Sequence, residues 1–333
     1  MALGITIVLT AGTSSASLGV YNPTWDGTSE LRSAVDGGDT NAIIARNTSA
    51  YQQANPNETI ALVLSASTPY NDDSANDVRT FVQLGGTLLV AADYSPHGNQ
   101  LLRAIGADAR ITGTPLRDEQ RAGPSPAFPR ATPVANETYT TNVSSIVLNH
   151  GSTIDADGAR ALFRSSEYSY LDTNGNEELD SDEELSRHPV VTSESVGDGT
   201  VIVVSDPSIF LNTMLERSDN AAFARNLVTS HDTVVFDVTH TASLPPLIEV
   251  RLTLLQSPPL VFIAGTLTVI LVILGYSPYN AVQKFRNDNP TTLESPSPTD
   301  VASAIRKSDW NEDRVERVTN SLMLNREENE SDE

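Results

Sequence analysis

An unbroken apolar stretch near the carboxyl end of the chain restricts its fold more than any other feature. Pro258–Tyr276 contains no charged side chain, and Thr266 and Thr268 are the only polar residues inside it. Roughly 20 apolar residues are what a helix needs to cross the hydrocarbon of a bilayer, and a threonine in such a helix can bond to its own backbone. The stretch predicts one transmembrane helix over residues 257–276. A buried helix of a large soluble protein is the alternative.

A second, shorter apolar run lies at the amino terminus. Met1–Ala11 is apolar, and Thr13–Ser17 is rich in small residues, as before a signal cleavage site. A charged segment in front of the run is missing, and the run is short for a span. We interpret residues 1–18 as a signal segment or an amino-terminal membrane anchor, with the first strand of the folded domain as the alternative.

Basic residues beside the late span predict its orientation. Arg251 is the only one shortly before it, whereas Lys284 and Arg286 follow it closely. Because basic residues are enriched on the cytoplasmic side of a membrane helix, we expect the large domain outside the cell membrane and the tail, residues 277–333, in the cytoplasm. The chain then crosses the membrane once, or twice if the amino-terminal segment also stays in the bilayer.

The charge of the chain excludes one class of partner and indicates an environment. The 333 residues carry 43 acidic and 21 basic side chains, a formal net charge of -22. So negative a surface repels phosphate, which argues against nucleic-acid binding. Lys284 and Lys307 are the only lysines. An acidic, lysine-poor chain is typical of a high-salt cytoplasm or medium, where salt screens the repulsion between carboxylates; an acidic mesophile protein is the alternative.

Short apolar runs and helical patterns alternate over residues 21–240, which is typical of an α/β sheet. In the clearest unit, Asn76–Leu84 has apolar residues on one helical face, Gly85 and Gly86 end the helix, and Thr87–Ala92 follows as a strand. The other predicted strands are Asn41–Ala45, Ile60–Ser65, Ser145–Leu148, Pro189–Ser195, Thr200–Ser205 and Thr233–Val238, and the other predicted helices are Gln100–Ile105 and Asn220–Thr229.

Other segments lack this alternation. Residues 107–144 are rich in proline and weak in periodicity, so they predict an irregular surface insertion. Gly197–Gly199, between two predicted strands, predicts a hairpin turn. Residues 241–256 are interpreted as a linker to the membrane. Residues 300–324 are amphipathic, which predicts a short cytoplasmic helix that either docks on a partner or is solvated.

Three motifs and the late span together resemble a known family. Tyr21–Arg32 (YNPTWDGTSELR), Val78–Asp93 (VRTFVQLGGTLLVAAD) and Ser205–Asn212 (SDPSIFLN), followed by one span, resemble the haloarchaeal branch of domain-of-unknown-function family 4350 (DUF4350). The resemblance covers nearly the whole chain. It implies a membrane protein whose extramembrane domain has a flavodoxin-like parallel sheet, similar to the class I glutamine amidotransferases, with residues 78–93 at its centre.

The resemblance implies partners rather than an activity, because the family is named for having none assigned. Its members are often found beside MoxR-type ATPases and von Willebrand-like domain proteins, which implies a membrane-associated assembly role. A more distant similarity links the chain to accessory subunits of ABC-type export systems that carry an amidotransferase-like domain.

The absence of cysteine removes disulfides, thiolate metal sites and any cysteine nucleophile. Glutamine amidotransferase activity needs that nucleophile on a strained turn, so this activity is excluded. Ser95 and Ser208 each follow a predicted strand, but neither lies in a G-x-S-x-G elbow. Both are more simply interpreted as polar residues that cap the next helix, so we expect no enzyme.

Polar side chains follow two of the predicted strands and define a candidate ligand crevice. If Thr87–Ala92 and Thr200–Ser205 are parallel, the residues that follow them meet at one edge of the sheet, where α/β proteins usually bind ligands. This prediction rests on fold analogy. The candidate ligand-binding residues are Asp93, Ser95, Asp206, Ser208 and Asn212.

One acidic segment has the spacing of a calcium loop. Oxygen ligands fall at loop positions 1, 3, 5, 7, 9 and 12, which are Asp172, Asn174, Asn176, Glu178 through its carbonyl, Asp180 and Glu183. At position 6, Glu177 replaces the glycine that permits the sharp bend, which puts high affinity in doubt. We predict a structural calcium ion on the loop 172–183, with a chance acidic run as the alternative, and no other cofactor. The five histidines show no zinc-binding spacing.

Four sequons lie in the domain expected outside the membrane. They become glycosylation candidates if that domain is exported. Their asparagines are Asn47, Asn57, Asn136 and Asn142.

The sequence thus predicts a membrane-anchored binding or scaffolding module that works with an ATPase-driven envelope assembly. An accessory subunit of an ABC-type exporter is the first alternative. A hydrolase with a serine or carboxylate nucleophile in the crevice is the second.

Overall fold

The computed structural model describes residues 14–120, 123–240 and 244–255, together with Pro259, Phe262 and Thr266. Among these residues no helix is both long and apolar enough to span a bilayer. Most of the predicted span 257–276, residues 1–13 and the tail helix 300–324 lie outside the described residues. Within the span, the Thr266 hydroxyl donates to the Phe262 carbonyl at 2.7 Å, the backbone bond its sequence position predicts.

The chain divides into two compact units, residues 1–256 and residues 257–333, and every strand of the described residues belongs to the first. The strands are β1 (Asn41–Ala45), β2 (Thr59–Leu64), β3 (Thr87–Ala91), β4 (Arg110–Ile111), β5 (Leu116–Asp118), β6 (Arg130–Pro133), β7 (Ile146–Val147), β8 (Ile154–Asp155), β9 (Arg160–Ser165), β10 (Ser169–Leu171), β11 (Pro189–Val196), β12 (Gly199–Val204) and β13 (Thr233–Asp237). The α-helices are α1 (Ser29–Asp36), α2 (Ser49–Gln53), α3 (Asp72–Gln83), α4 (Pro96–Ile105), α5 (Asn212–Leu215), α6 (Asn220–Thr229) and α7 (Pro246–Leu255).

Nine of the described strands form one sheet in the order β1-β13-β2-β3-β12-β11-β9-β6-β7. The first five are mutually parallel and form what we call the parallel half. From β12 onward every pairing is antiparallel, and β11, β9, β6 and β7 form the antiparallel half. The prediction of a parallel sheet was therefore wrong for nearly half of the strands, and the fold is a mixed α/β sheet.

The parallel half forms where the sequence has continuous apolar runs. Every residue of β2 (TIALVL) and β3 (TLLVA) is buried, because helices cover both faces of the sheet. Leu62 and Leu89 pack on the face covered by α1 and α6, while Val63 and Leu88 pack on the face covered by α2, α3 and α4. The residues alternate between two cores along each strand, as the pleat requires.

The unit from α3 to β3 is confirmed at the centre of the parallel half. Asn71 caps α3, accepting a hydrogen bond from the Ser74 N–H at 2.8 Å. Gly85 then adopts φ 105°, a conformation open to glycine, and the chain enters β3 between β2 and β12. The predicted hairpin at Gly197–Gly199 also forms, joining β11 to β12.

Two segments predicted to lack regular structure contain some. The insertion 107–144 contributes β6 to the main sheet, and the predicted linker 241–256 contains α7. β9 was not predicted, since RALFRS mixes arginines with apolar residues. β6 and β9 are only partly buried, so their sequences give a weaker signal than a continuous apolar run.

Gly199 provides a test of how closely α3 packs on the sheet. A β-carbon there would lie 2.1 Å from the Val82 carbonyl oxygen and 2.4 Å from that of Gly86, and neither backbone can retreat easily. We expect Gly199→Ala to lower the free energy of unfolding by about 3 kcal/mol in chemical denaturation. The control is Gly38→Ala, whose β-carbon would find its nearest neighbour at 3.7 Å and should change stability by less than about 0.5 kcal/mol. Equal effects of the two substitutions would contradict the close packing.

Candidate functional site

The two strands chosen from the sequence do meet at a topological switch point. β3 and β12 are parallel neighbours. The side of the sheet at which the parallel strands reach their carboxyl ends is called the carboxyl edge. After β3 the chain turns to the face that carries α4, and after β12 it turns to the face that carries α6. In open α/β sheets such diverging connections create the crevice where ligands bind.

Asp206 lies directly beyond β12 in this crevice and is completely buried. Its Oδ2 accepts a hydrogen bond from the Asn149 N–H at 2.6 Å, and its Oδ1 accepts one from the Ser208 N–H at 2.8 Å. Burial raises the pKa of the Asp206 carboxyl to about 6, although both hydrogen bonds favour the charged form, and the nearby charge of Asp93 adds to the rise.

The crevice is filled by the chain itself, through residues 148–152, which we call the strap. The Ser152 N–H donates to the Ser205 carbonyl at 3.0 Å, and the Leu116 N–H donates to the Gly151 carbonyl at 3.0 Å. A β-carbon on Gly151 would lie 2.8 Å from the Asp206 β-carbon, so the strap lies directly against the carboxylate side chain. No room for a ligand remains between the strap and Asp206.

Beyond β3, Asp93 and Tyr94 line the outer side of the strap. Asp93 Oδ1 accepts a hydrogen bond from the Tyr94 N–H at 2.6 Å. The Tyr94 hydroxyl donates to the His150 carbonyl at 2.5 Å. Partial burial, followed by the charges of Asp93 and Asp206, raises the pKa of Tyr94 to about 12, so the phenol stays protonated and keeps donating to the strap.

The two candidate serines have structural contacts. Ser95 caps α4, where its Oγ accepts from the His97 N–H at 3.4 Å and donates to the Ala66 carbonyl at 3.2 Å. The Ser208 Oγ donates to the Asn149 carbonyl at 3.2 Å, which ties it to the strap. In the described chain the ring of His97 bonds to Gln100 rather than to Ser95.

Asn212 belongs to a different contact set from the crevice. Its Nδ2 donates to the Thr24 carbonyl at 2.7 Å and to the Asn22 carbonyl at 3.2 Å, and its Oδ1 accepts from the Glu30 N–H at 3.0 Å. It therefore joins the loop before α1 to the start of α5, and its side-chain hydrogen bonds go to that loop and the first turn of α1.

The acidic loop 172–183 is anchored by an ion pair that the sequence analysis missed. The buried Asp172 accepts from Arg117 Nε at 2.6 Å, and Arg117 also reaches Glu177 at 3.1 Å. Burial opposes the charge of Asp172, but hydrogen bonds from Arg117 and from the N–H groups of Glu177 and Gly175 hold its pKa below the usual value. Arg117 lies next to Leu116 in β5, and nothing in the sequence around it indicates that its partner is Asp172.

The predicted calcium ligands meet one another in this loop. The amides of Asn174 and Asn176 each donate to Asp180 Oδ2 at 2.7 Å, and Glu183 Oε2 accepts from the Asp180 N–H at 3.3 Å. Glu177 reaches φ 70°, so the bend forms without the usual glycine. In the part of the chain that the structure describes, no three His, Asp or Glu side chains are grouped so that they could hold a metal ion. Calcium binding stays a prediction that a calorimetric titration can test.

A third strand of the parallel half also ends at an aspartate, and this one is buried like Asp206. Asp237, the last residue of β13, accepts through Oδ2 from the hydroxyls of Tyr51 at 2.7 Å and Tyr70 at 2.9 Å. Burial, then the charge of Asp237, raises the pKa of both phenols well above the usual value. The sequence analysis selected Asp93 and Asp206 because each follows an apolar strand. Asp237 has the same pattern, which could have identified it, but it was missed.

The four sequon asparagines are all exposed in the structure. Asn47 follows β1, Asn57 lies in the turn before β2, and Asn136 and Asn142 lie in the insertion. Glycosylation of these positions stays a prediction.

The fold is that of an α/β protein with one mixed sheet, in which helices cover both faces of the parallel half. The chain belongs to the DUF4350 family, described as a domain of unknown function, whose model matches residues 20–228. The resemblance drawn from Tyr21–Arg32, Val78–Asp93 and Ser205–Asn212 is thereby confirmed at the level of the family. No curated protein matches the chain.

The solved structures that resemble parts of the chain are distant. The chain is 12% identical to the mmIFT52 N-terminal domain, covering 54% of this chain and 77% of that one at a TM-score of 0.42. It is 15% identical to the cytoplasmic protein STM1381 from Salmonella typhimurium LT2, covering 62% and 87% at 0.39. A β-galactosidase from the Antarctic haloarchaeon Halorubrum lacusprofundi is 14% identical, covering 52% and 22% at 0.28. Similarities of this size carry no argument about function.

Removing Arg117 should expose the cost of burying Asp172. In Arg117→Met the carboxylate loses its partner while staying buried, so we expect the free energy of unfolding to fall by about 3 to 5 kcal/mol, with partial recovery when Asp172→Asn is added. The control is Arg160→Met, which breaks an exposed pair with Glu137 and should cost at most about 1 kcal/mol. A loss as small as that of the control would show that the buried pair does not hold the loop.

Asp206 should make the stability of the fold depend on pH. Because its folded pKa of about 6 lies above the unfolded value, its contribution is present at low pH and is lost as the pH rises through about 6. We expect this group to remove about 3 kcal/mol from the free energy of unfolding between roughly pH 4 and 7. Asp206→Asn should abolish that component, whereas Ser208→Ala, which keeps the carboxyl, should retain it. An unchanged pH profile in Asp206→Asn would refute the assignment.

Proposed function

We propose that this chain is a membrane-anchored, non-catalytic binding or scaffolding protein of the cell envelope. Its α/β domain is amidotransferase-like and faces outward, and residues 277–333 form a cytoplasmic tail. The partner we infer is a MoxR-type ATPase assembly that includes von Willebrand-like domain proteins. The acidic, lysine-poor composition supports a halophilic, haloarchaeal source for such an envelope protein.

The observation that carries this proposal is the filled crevice at the switch point. Where α/β enzymes place their substrate, this domain places its own strap, held by Asp206 and by Ser208. The polar groups of Asp206, Ser208 and the strap already bond to one another, so a substrate would have to break these buried hydrogen bonds to enter. A domain built in this way supports binding through its outer surfaces.

The serine–histidine contacts of the described residues also support a non-enzymatic role. The clearest is Ser186 Oγ to His188 Nε2 at 3.0 Å, outside the crevice. Burial and then the positive charge of Arg164 lower the pKa of His188, which is the opposite of the effect that the orienting carboxylate of a hydrolase triad has on its histidine. The hydrolase with a serine or carboxylate nucleophile remains the less favoured alternative.

An accessory subunit of an ABC-type export system is the other alternative. It requires the same anchored domain but a transporter as the partner, contacted through the membrane segment or the tail. The two proposals differ in the protein that accompanies this chain.

Co-purification tests the proposal. The full-length tagged chain is isolated from its own membranes in high salt, and a chain that lacks residues 300–333 is the matched control. We expect a stoichiometric ATPase component, whereas a transporter subunit that is lost with the tail would favour the exporter. Recovery of the full chain alone from intact membranes would count against both assemblies, and recovery only in the soluble fraction would refute the membrane anchor.

A further inference from the structure

Both ends of the described domain leave it at the carboxyl edge. The loop before α1 is tied to the segment beyond β12, since the Thr213 N–H donates to the Trp25 carbonyl at 3.2 Å. α7 is tied to the residue that follows β1, since Arg46 Nη1 donates to Thr253 Oγ1 at 2.8 Å and lies near Glu249. Residues 14–18 of the predicted amino-terminal segment belong to the folded loop before α1, since the Leu18 N–H donates to the Asp26 carbonyl at 2.8 Å, so the predicted anchor is wrong for these five residues. The rest of that segment, 1–13, and the predicted span 257–276 both connect to the same side of the sheet.

Large apolar side chains are exposed on this same side. Trp25 is 68% exposed in the loop before α1, and Val250 and Leu247 are 56% and 45% exposed on α7. Tyr94, beyond β3, is 47% exposed. At the opposite edge Leu84, which follows α3, is 59% exposed. Exposed apolar side chains gathered on one side of a domain mark an interaction surface.

The loop that carries Trp25 is held rigidly. Asn22 is fully buried; its Nδ2 donates to the Ala16 carbonyl at 2.9 Å and to Asp26 Oδ1 at 3.0 Å, and its Oδ1 accepts from the Thr24 N–H at 2.9 Å. The same bonds hold Asp26 in a fixed place, and hydrogen bonds from Thr24 lower its pKa. A side chain presented by so constrained a loop loses little conformational entropy on binding.

We propose that the carboxyl edge is the surface that rests on the bilayer, with the Trp25 ring at headgroup level and the apolar side chains of α7 beside it. Tryptophan is the residue that favours this level, because its ring is apolar and its N–H can bond to headgroups or water. A lipid surface fits better than a protein because both predicted membrane segments connect at this edge. The inference rests on the proposed membrane anchoring.

Tryptophan fluorescence of the full chain in phosphatidylcholine vesicles tests the inference. Trp310→Phe leaves Trp25 as the sole tryptophan, and its quenching is compared between lipids brominated near the headgroup and lipids brominated near the chain end. The matched control carries Trp25→Phe, Trp310→Phe and Leu84→Trp, which places the probe at the opposite edge. We expect Trp25 to be quenched about twofold more by the shallow label than by the deep one, and the control by neither.

Flotation of the same vesicles separates the two possible failures. Chain that does not float with the vesicles overturns the membrane anchor and this inference with it. Chain that floats while Trp25 behaves like the Leu84→Trp control, quenched by aqueous iodide and by no lipid, overturns this inference alone. Protection of Trp25 from iodide and from both lipid labels would assign the carboxyl edge to a protein contact instead, which also overturns it.

Discussion

The buried carboxylate of Asp206 is the interaction on which the rest of the domain depends. It lies at the end of β12, where the parallel half meets the antiparallel half, and it accepts the N–H of Asn149 from the strap between β7 and β8. Ser208 and Tyr94 hold the same strap from two sides. One side chain thus fastens the irregular part of the molecule to its most regular part.

That contact also bears on the proposed function. Because the strap lies against Asp206 in the crevice, the non-catalytic role proposed above assigns recognition to outer surfaces such as loops, edges and the acidic exterior. The last strand of the sheet, β7, is also closed to pairing with another strand at Val147. The Asn220 side chain accepts from the Val147 N–H at 2.8 Å and donates to the Val147 carbonyl at 2.9 Å. The carboxyl edge keeps its exposed apolar residues, which agrees with the membrane-facing role inferred for it.

The sequence predicted the parallel half well because its central strands, β2 and β3, are apolar runs buried on both faces. The antiparallel half was predicted only in part. β7 and β11 lie within or along the predicted strands Ser145–Leu148 and Pro189–Ser195, whereas β6 lies in a proline-rich segment and β9 mixes arginine with leucine and phenylalanine. Such strands form because neighbours pair with them, and pairing has no local signature. Asp93 and Asp206 were identified as residues of one crevice from the strand ends alone. The pairing of Arg117 with Asp172 could not be predicted in this way, because the two residues are 55 positions apart in the sequence.

The sequence by itself determined the family, the apolar strands of the sheet, the absence of cysteine chemistry and the positions of Asp93 and Asp206 beyond parallel strands. Only the tertiary structure decided that the crevice between them is filled by residues 148–152. It also decided that Asn212 belongs to the loop of Trp25. The physical reason is that a strand's apolar pattern is local, whereas the partner of a buried carboxylate or amide comes from wherever the fold brings a free donor.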